Sequence, residues 1–253
     1  MTKPGVKHMF GIWFLVAVAA NFAQYYLSQV PFFGTTSSTV TLFDWGLSFN
    51  YLNWAAPVLA ALPMGASFCT DWRSGYAWLQ IARAGRERYL RSRCLACALS
   101  GALVEAAGLA LFFLALLPVG SLTQEAILYD YQYMAGFSDI LRQAHWSLYV
   151  GGLMALRALA GGFFALVGLA VSSFAPNPYI ALASPMLLAR LCTEITWSFP
   201  AVPKWVSQVA LSEGLAGLDF WPNLGVGLAV FGGGMALFAA LFRAGVGRRL
   251  EHG

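Results

Sequence analysis

The chain has 253 residues, 59% of them hydrophobic and only 10% charged, with 15 Lys and Arg against 11 Asp and Glu for a net charge of +4. Soluble domains carry roughly 25% charged residues, so this is the composition of a polytopic membrane protein, and its connectors are too short for a soluble catalytic domain of about 50 residues or more. The small positive excess is an orientation signal rather than a footprint for nucleic acid, because of where the basic residues fall.

Apolar runs of the ~20 residues needed to cross a bilayer occur six times, at about 9 to 30, 51 to 69, 94 to 118, 148 to 171, 178 to 199 and 223 to 243. They predict an all-α fold, a single transmembrane domain over 1–253 with six transmembrane helices. The first run follows Lys3 and Lys7 and carries Asn21, Gln24, Tyr25 and Tyr26 in its second half. The second is bounded by Asn50 and Asn53 on one side and by Thr70 and Asp71 on the other.

Next comes DWRSGYAWLQIARAGRERYLRSR, Asp71 to Arg93, with six arginines in 23 residues. A helical period sets Trp72, Tyr76 and Leu79 on one face beside Trp78 and Ile81. Thr70 or Asp71 is placed to cap this short helix, and Gly85 to break it before a basic helix runs from Arg86 into the third span. Cys94 and Cys97 open that span without a second pair or a nearby His, and they read as small buried thiols rather than metal ligands.

Beyond the third span, Gly120 to Trp146 mixes acids with Tyr129, Tyr131 and Tyr133, and predicts an amphipathic helix on the membrane surface. Spans four and five are joined by the tight turn SSFAPNP, Ser172 to Pro178, where two prolines end one helix and start the next. The apolar segment between Pro203 and Pro222 is too short and polar to cross, and predicts an outer re-entrant segment with Trp205 and Trp221 in the interfacial aromatic belt. Gly151, Gly152, Gly161, Gly162 and Gly168 in span four, and Gly225, Gly227, Gly232, Gly233 and Gly234 in span six, favour close helix contact.

Lys and Arg flanks stay on the cytoplasmic side. If the first span enters from the cytoplasm, eleven of the 15 basic residues fall inside, among them Lys3, Lys7, the six arginines of the second connector, and Arg243, Arg248 and Arg249. The predicted placement is therefore multi-pass in the cytoplasmic (inner) membrane, with both termini in the cytoplasm. Glu105, Arg157, Arg190 and Glu194 lie within spans, where each charge costs about 2.5 to 3.5 kcal/mol unless paired or wet. Two acids against two arginines predict a neutral intramembrane charge network that fixes helix positions; the competing reading is a protonatable relay on a transport path.

The stretch FCTDWRSGYAWLQIARAGRERYLRSRCLA, from Phe68 to Ala96, resembles the segment after the second span in type-two ABC transporter permeases, the membrane-spanning subunits of ABC exporters. The six-span layout, the cytoplasmic termini and the re-entrant segment between spans five and six are similar to that family too. The resemblance implies that this short helix is a coupling helix docking into an ATP-binding subunit. Asp71 and Gly75 match the family's acid and glycine, Trp72, Trp78, Leu79 and Gln80 fall in or beside the docking helix, and Arg83 and Arg86 fill its basic turn. It further implies a second permease subunit, identical or paralogous, contact with membrane lipid, and no role for nucleic acid. Neither a catalytic site, a metal nor a cofactor is expected on this chain: no GxxxxGK[ST] loop occurs in it, so ATP and Mg belong to the partner subunit and this chain is not itself an enzyme.

The function so implied is export of an amphipathic substrate (a peptide, a drug or a lipid-like molecule), with Asn21, Gln24, Tyr25 and Tyr26 expected to line a lateral access path. Two alternatives stand beside it. One is a proton- or ion-coupled carrier, which is expected to show internal repeats that this chain lacks. The other is an intramembrane enzyme using Glu105 or Glu194, although neither an HExxH nor a paired-Glu metal motif is present.

Overall fold

The structure, a computed structural model, describes residues 4–34, 38–48, 53–123, 127, 138–143, 145–199, 201–203, 206 and 219–252. Among the described residues the regular elements are helices joined by turns, with an isolated bridge between Ser38 and Ser121. The helices are α1 (Pro4–Gln29), α2 (Thr39–Ser48), α3 (Ala56–Ala61), α4 (Ser67–Arg73), α5 (Tyr76–Ala84), α6 (Arg86–Leu116), α7 (Ser138–Arg142), α8 (Trp146–Phe174), α9 (Pro178–Ser198) and α10 (Phe220–His252). Four of them, α1, α6, α8 and α10, are long and apolar enough to cross a membrane. The protein is thus compatible with a multi-pass membrane protein.

Three departures from the sequence reading have physical causes. The expected second span is broken: α3 ends at Ala61, a turn covers Leu62 to Ala66, and α4 resumes at Ser67. Pro63 cannot continue the ladder, and a Cβ on Gly65 would sit 2.7 Å from the Ala61 carbonyl oxygen, so only glycine fits this tight turn. Second, residues 39–48, read as part of a connector, form α2, whose Thr39 to Asp44, Gly46 and Leu47 are all buried. Third, Asp71 does not cap the short basic-flanked helix that the sequence places after it. It lies inside α4, and the N-cap of α5 is Gly75, at φ +70. The predicted surface helix around Tyr129 to Tyr133, the Asn50 boundary, and most of the predicted re-entrant segment, including Trp205, lie outside the described residues.

Helix directions follow from the contacts. Asn21 meets Val104 and Glu105 while Tyr25 stacks on Phe112, so α1 and α6 run parallel. Gly101 faces Gly161 and Ala165, and Cys97 bonds Ala165, so α6 and α8 run antiparallel. Gly152 faces Phe220 and Phe163 meets Phe238, so α8 and α10 run parallel. Helix α8 is the most buried of the four long helices and touches α3, α6, α9 and α10.

Close approach of α6 and α8 depends on absent side chains. A Cβ on Gly101 would lie 2.4 Å from the Gly161 carbonyl oxygen, and one on Gly161 only 2.5 Å from Cγ of Glu105. In lipid, where burial of apolar surface gives no drive, such small-residue contact is what lets helices gain dispersion energy. The glycine expectation divides on this test: Gly152, Gly161, Gly162, Gly168 and Gly234 face neighbours, whereas Gly151, Gly225, Gly232 and Gly233 face open space.

Candidate functional site

Two regions carry polar chemistry. One is the end of the bundle where arginines collect. Here α5 is framed by two glycines with positive φ, Gly75 (φ +70) and Gly85 (φ +81), conformations that L side chains adopt only with strain. Ala77 faces inward, while Trp78 and Leu79 are exposed at 43% and 57%. The apolar pair lies beside exposed Arg83 and Arg86. Gln80 is half-buried, its amide donating to the Tyr76 hydroxyl at 2.5 Å.

The other expected docking residues at this end turn inward. Asp71 pairs with Arg93, tying α4 to the start of α6. Trp72 sits between the rings of Phe68 (5.6 Å) and Trp78 (5.4 Å), with the Arg249 guanidinium 5.6 Å from its centre. Arg249 also donates to the carbonyls of Ser173 and Phe174, the latter at 2.7 Å, and Arg73 donates to Pro176 O at 2.8 Å. These carbonyls belong to the C-terminal turn of α8 and the loop after it, where helix partners run out and the macrodipole is negative. The uncharged turn read from SSFAPNP is thus served by arginines from α4 and α10.

The second region is a buried polar cluster toward the other end. Glu105, 3% exposed, accepts through Oε2 from Asn21 Nδ2 at 3.0 Å and from the Tyr25 hydroxyl at 3.4 Å. Gln24 donates to Asn21 Oδ1 at 2.5 Å, and its own Oε1 is buried with no donor among the described residues. Asn21 can approach because Gly108 is bare: a Cβ there would lie 2.7 Å from Asn21 Nδ2. Nearer the far end, Asp44 of α2 accepts from the Tyr149 hydroxyl at 2.7 Å. Arg157 of α8 donates to Leu47 O at 3.1 Å, a cation on the closing turn of α2. Its charge acts on both Asp44 and Glu105. Burial raises the Asp44 carboxyl to about 6, against the opposing pull of the Tyr149 hydrogen bond and of Arg157.

The four charges expected within spans lie in two places, and the i, i+4 spacing of Arg190 and Glu194 brings those two together. Glu105 and Arg157 are buried in the bundle, whereas Arg190 and Glu194 pair along α9 at 2.6 Å, each side chain 54% exposed, with the Arg190 guanidinium 4.8 Å from the centre of the Trp54 ring. Asn21, Gln24 and Tyr25 belong to the Glu105 cluster, while half-buried Tyr26 stacks on Phe22 at 5.6 Å. Asp44, Tyr149 and α2 itself were not read from the sequence as parts of a site. The one available signal was an acid inside an apolar run, LFDWGL. Cys69, Cys94 and Cys97 are buried free thiols, Cys97 donating to Ala165 O at 3.2 Å. Among the described residues no cluster of His, Cys, Asp or Glu has the makings of a metal site.

Comparison with protein-family models, with curated proteins and with solved structures finds no match to this chain.

Proposed function

We propose that this chain is the membrane-spanning subunit of an ATP-driven ABC exporter for an amphipathic substrate. In this reading the broken segment from α3 to α4 and the helix α9 complete six spans with α1, α6, α8 and α10. The basic end faces the cytoplasm, the connector before α10 is re-entrant, and α5 docks on a separate ATP-binding subunit. ATP and Mg bind to that subunit, and a second permease subunit, identical or paralogous, completes the transporter.

The observation that carries the reading is α5. A nine-residue helix is set off by Gly75 and Gly85 at the arginine-rich end, with Leu79 exposed and Trp78 partly exposed against Trp72. A rigid, short element with an aromatic anchor and a charged rim is what transmission of force from an external motor requires, since a few such side chains dominate a docking interface. Its Trp78 stacks on Trp72 of α4, which is tied to α6 by the Asp71 and Arg93 pair and meets Arg249 of α10, so it is suited to pass displacement to α4, α6 and α10.

Purification of the tagged chain in mild detergent is expected to recover an ATP-binding subunit with ATPase activity. Trp78→Glu combined with Leu79→Glu abolishes both the recovery and the activity, whereas Tyr179→Ser, at an exposed site outside α5, leaves them intact. Full recovery of the ATP-binding subunit with the double variant rules out docking at α5.

A further inference from the structure

Helices α4, α5, α6 and α10 bring nine arginines and three carboxylates to the basic end of the bundle. Four of the arginines are engaged: Arg93 by Asp71, Arg91 by Glu87 at 3.9 Å, and Arg73 and Arg249 by carbonyls at and just beyond the end of α8. Arg83, Arg86, Arg88, Arg243 and Arg248 are exposed and hold no ion pair or hydrogen bond among the described residues. Two of these five converge on one seam. A Cβ on Gly247 of α10 would stand 2.6 Å from Arg86 Nη2, so the guanidinium of the first residue of α6 lies on bare α10 backbone. Arg243 precedes Gly247 by one turn on the same face of α10, and its charge reaches Cys94 of α6. The third carboxylate, Glu251, follows Gly247 by one turn and makes no ion pair among the described residues. From this geometry we infer that the seam where α6 starts and α10 ends binds the phosphate of an anionic phospholipid, held by the guanidinium groups of Arg86 and Arg243.

The chemistry of the seam selects this ligand in two ways. A guanidinium fork matches two phosphate oxygens at once and keeps its charge throughout the physiological pH range. In a membrane protein such a basic end lies at headgroup level, where clustered arginines attract anionic lipid. Toward the bundle centre the seam turns apolar and small. Ala98 of α6 and Ala239 of α10 are half-buried there, packed on the same core cluster. Helix α8 is bare behind them, since a Cβ on Gly162 would meet Ala98 O at 3.0 Å and Met235 Sδ at 3.5 Å. The ligand that covers both halves is anionic at one end and aliphatic along its length. A nucleotide or a phosphorylated peptide satisfies the arginines but leaves the apolar half uncovered. The site requires only that the chain sits in a bilayer, and it stands apart from the exporter reading.

The test is thermal unfolding of the full chain in mild detergent, titrated with anionic phosphatidylglycerol, with zwitterionic phosphatidylcholine or with inorganic phosphate. A ligand that binds the folded chain raises its unfolding midpoint by mass action. Phosphatidylglycerol is expected to raise the midpoint to a plateau, while phosphatidylcholine and inorganic phosphate at the same concentration leave it unchanged. Arg86→Gln combined with Arg243→Gln raises the half-saturating concentration of phosphatidylglycerol about tenfold or more. Arg88→Gln combined with Arg248→Gln removes the same charge from the same end, but these side chains leave their helices about 200° round from Arg86 and about 100° round from Gly247. That second pair therefore shifts the half-saturating concentration by no more than about threefold, as screened surface charges do. All four arginines are exposed, and each variant is read against its own lipid-free midpoint, so a general loss of stability does not mimic a loss of binding. Equal losses in the two double variants make the seam part of a diffuse basic surface and overturn the site. An equal response to phosphatidylcholine, or no response to phosphatidylglycerol, overturns it as well. A response to inorganic phosphate equal to that of the lipid makes free phosphate the ligand and overturns the phospholipid.

Discussion

At the level of single residues, glycine is where sequence and structure differ most. A glycine in a span reads the same in the sequence whether it lies at a helix seam or faces open space. Gly161 and Gly232 are both helical, yet a Cβ on the first meets Glu105 Cγ at 2.5 Å and the Gly101 carbonyl oxygen at 2.6 Å, while one on the second meets nothing within 4 Å. Backbone cannot yield as a flexible side chain does, so Gly161→Ala must spread α6 from α8. We expect a loss of about 1 to 3 kcal/mol, the range of overpacked cores. Gly232→Ala lacks that clash and gains up to ~1 kcal/mol in helix propensity. Thermal unfolding of the two variants in the same detergent separates them: a lower midpoint for Gly161→Ala and an equal or higher one for Gly232→Ala. The buried charges were only half legible for a related reason. Glu105 and Arg157 stand out in any apolar run, and the four-residue spacing of Arg190 and Glu194 is itself a pairing signal, but no one-dimensional pattern shows that Asn21 and Tyr25 lie across from Glu105.

At the level of elements, the short helix between the second and third apolar runs was legible in its presence and in its stop. Its start was not, because Asp71 is an equally good cap by type and the decision lies with a positive φ at Gly75 that only the fold reveals. The two bounding glycines differ in kind. Gly75, at φ +70 and ψ 1, is near the left-handed region that Asn also visits, whereas Gly85, at φ +81 and ψ 150, occupies a region open almost solely to glycine. Both face open space, so backbone strain alone decides the outcome. Gly75→Asn is therefore expected to be tolerated within about 0.5 kcal/mol, the usual range for surface changes, while Gly85→Asn costs on the order of 1 to 3 kcal/mol. The readout is limited trypsin digestion at the exposed Arg83 and Arg86: faster cleavage in Gly85→Asn than in the native chain, and unchanged cleavage in Gly75→Asn. Helix α2 went unseen for another reason. Ten residues with Thr39, Thr41 and Asp44 are too short and polar to read as a span, and burial on all sides leaves no amphipathic stripe to betray a helix.

For the molecule as a whole, the apolar surface that made the membrane class plain from composition also leaves its few buried charges exposed to large pH effects. Asp44 lies outside the four long helices, yet it is buried between α2 and α8, and burial raises its carboxyl from 3.8 to about 6. A folded-state value above the unfolded one means that the native chain binds the proton more tightly than the unfolded chain does. The contribution to stability is then fully present below about pH 4 and is lost as pH rises through about 6. Its size is of the order of a few kcal/mol, because each pH unit separating the folded from the unfolded value corresponds to about 1.36 kcal/mol. Tyr149 opposes the rise by donating to the ionised acid at 2.7 Å, so its removal widens the window upward. In denaturant titrations across pH 4 to 8, the native chain should weaken relative to Asp44→Asn as pH rises, because the amide keeps an acceptor for Tyr149 and cannot ionise. Tyr149→Phe should weaken further, and over a range reaching to higher pH, since its Asp44 must ionise without that donor. If the gap between the native chain and Asp44→Asn stays constant across the range, the carboxylate is not the group that sets the pH dependence, and the seat of α2 on α8 must be held without regard to its charge.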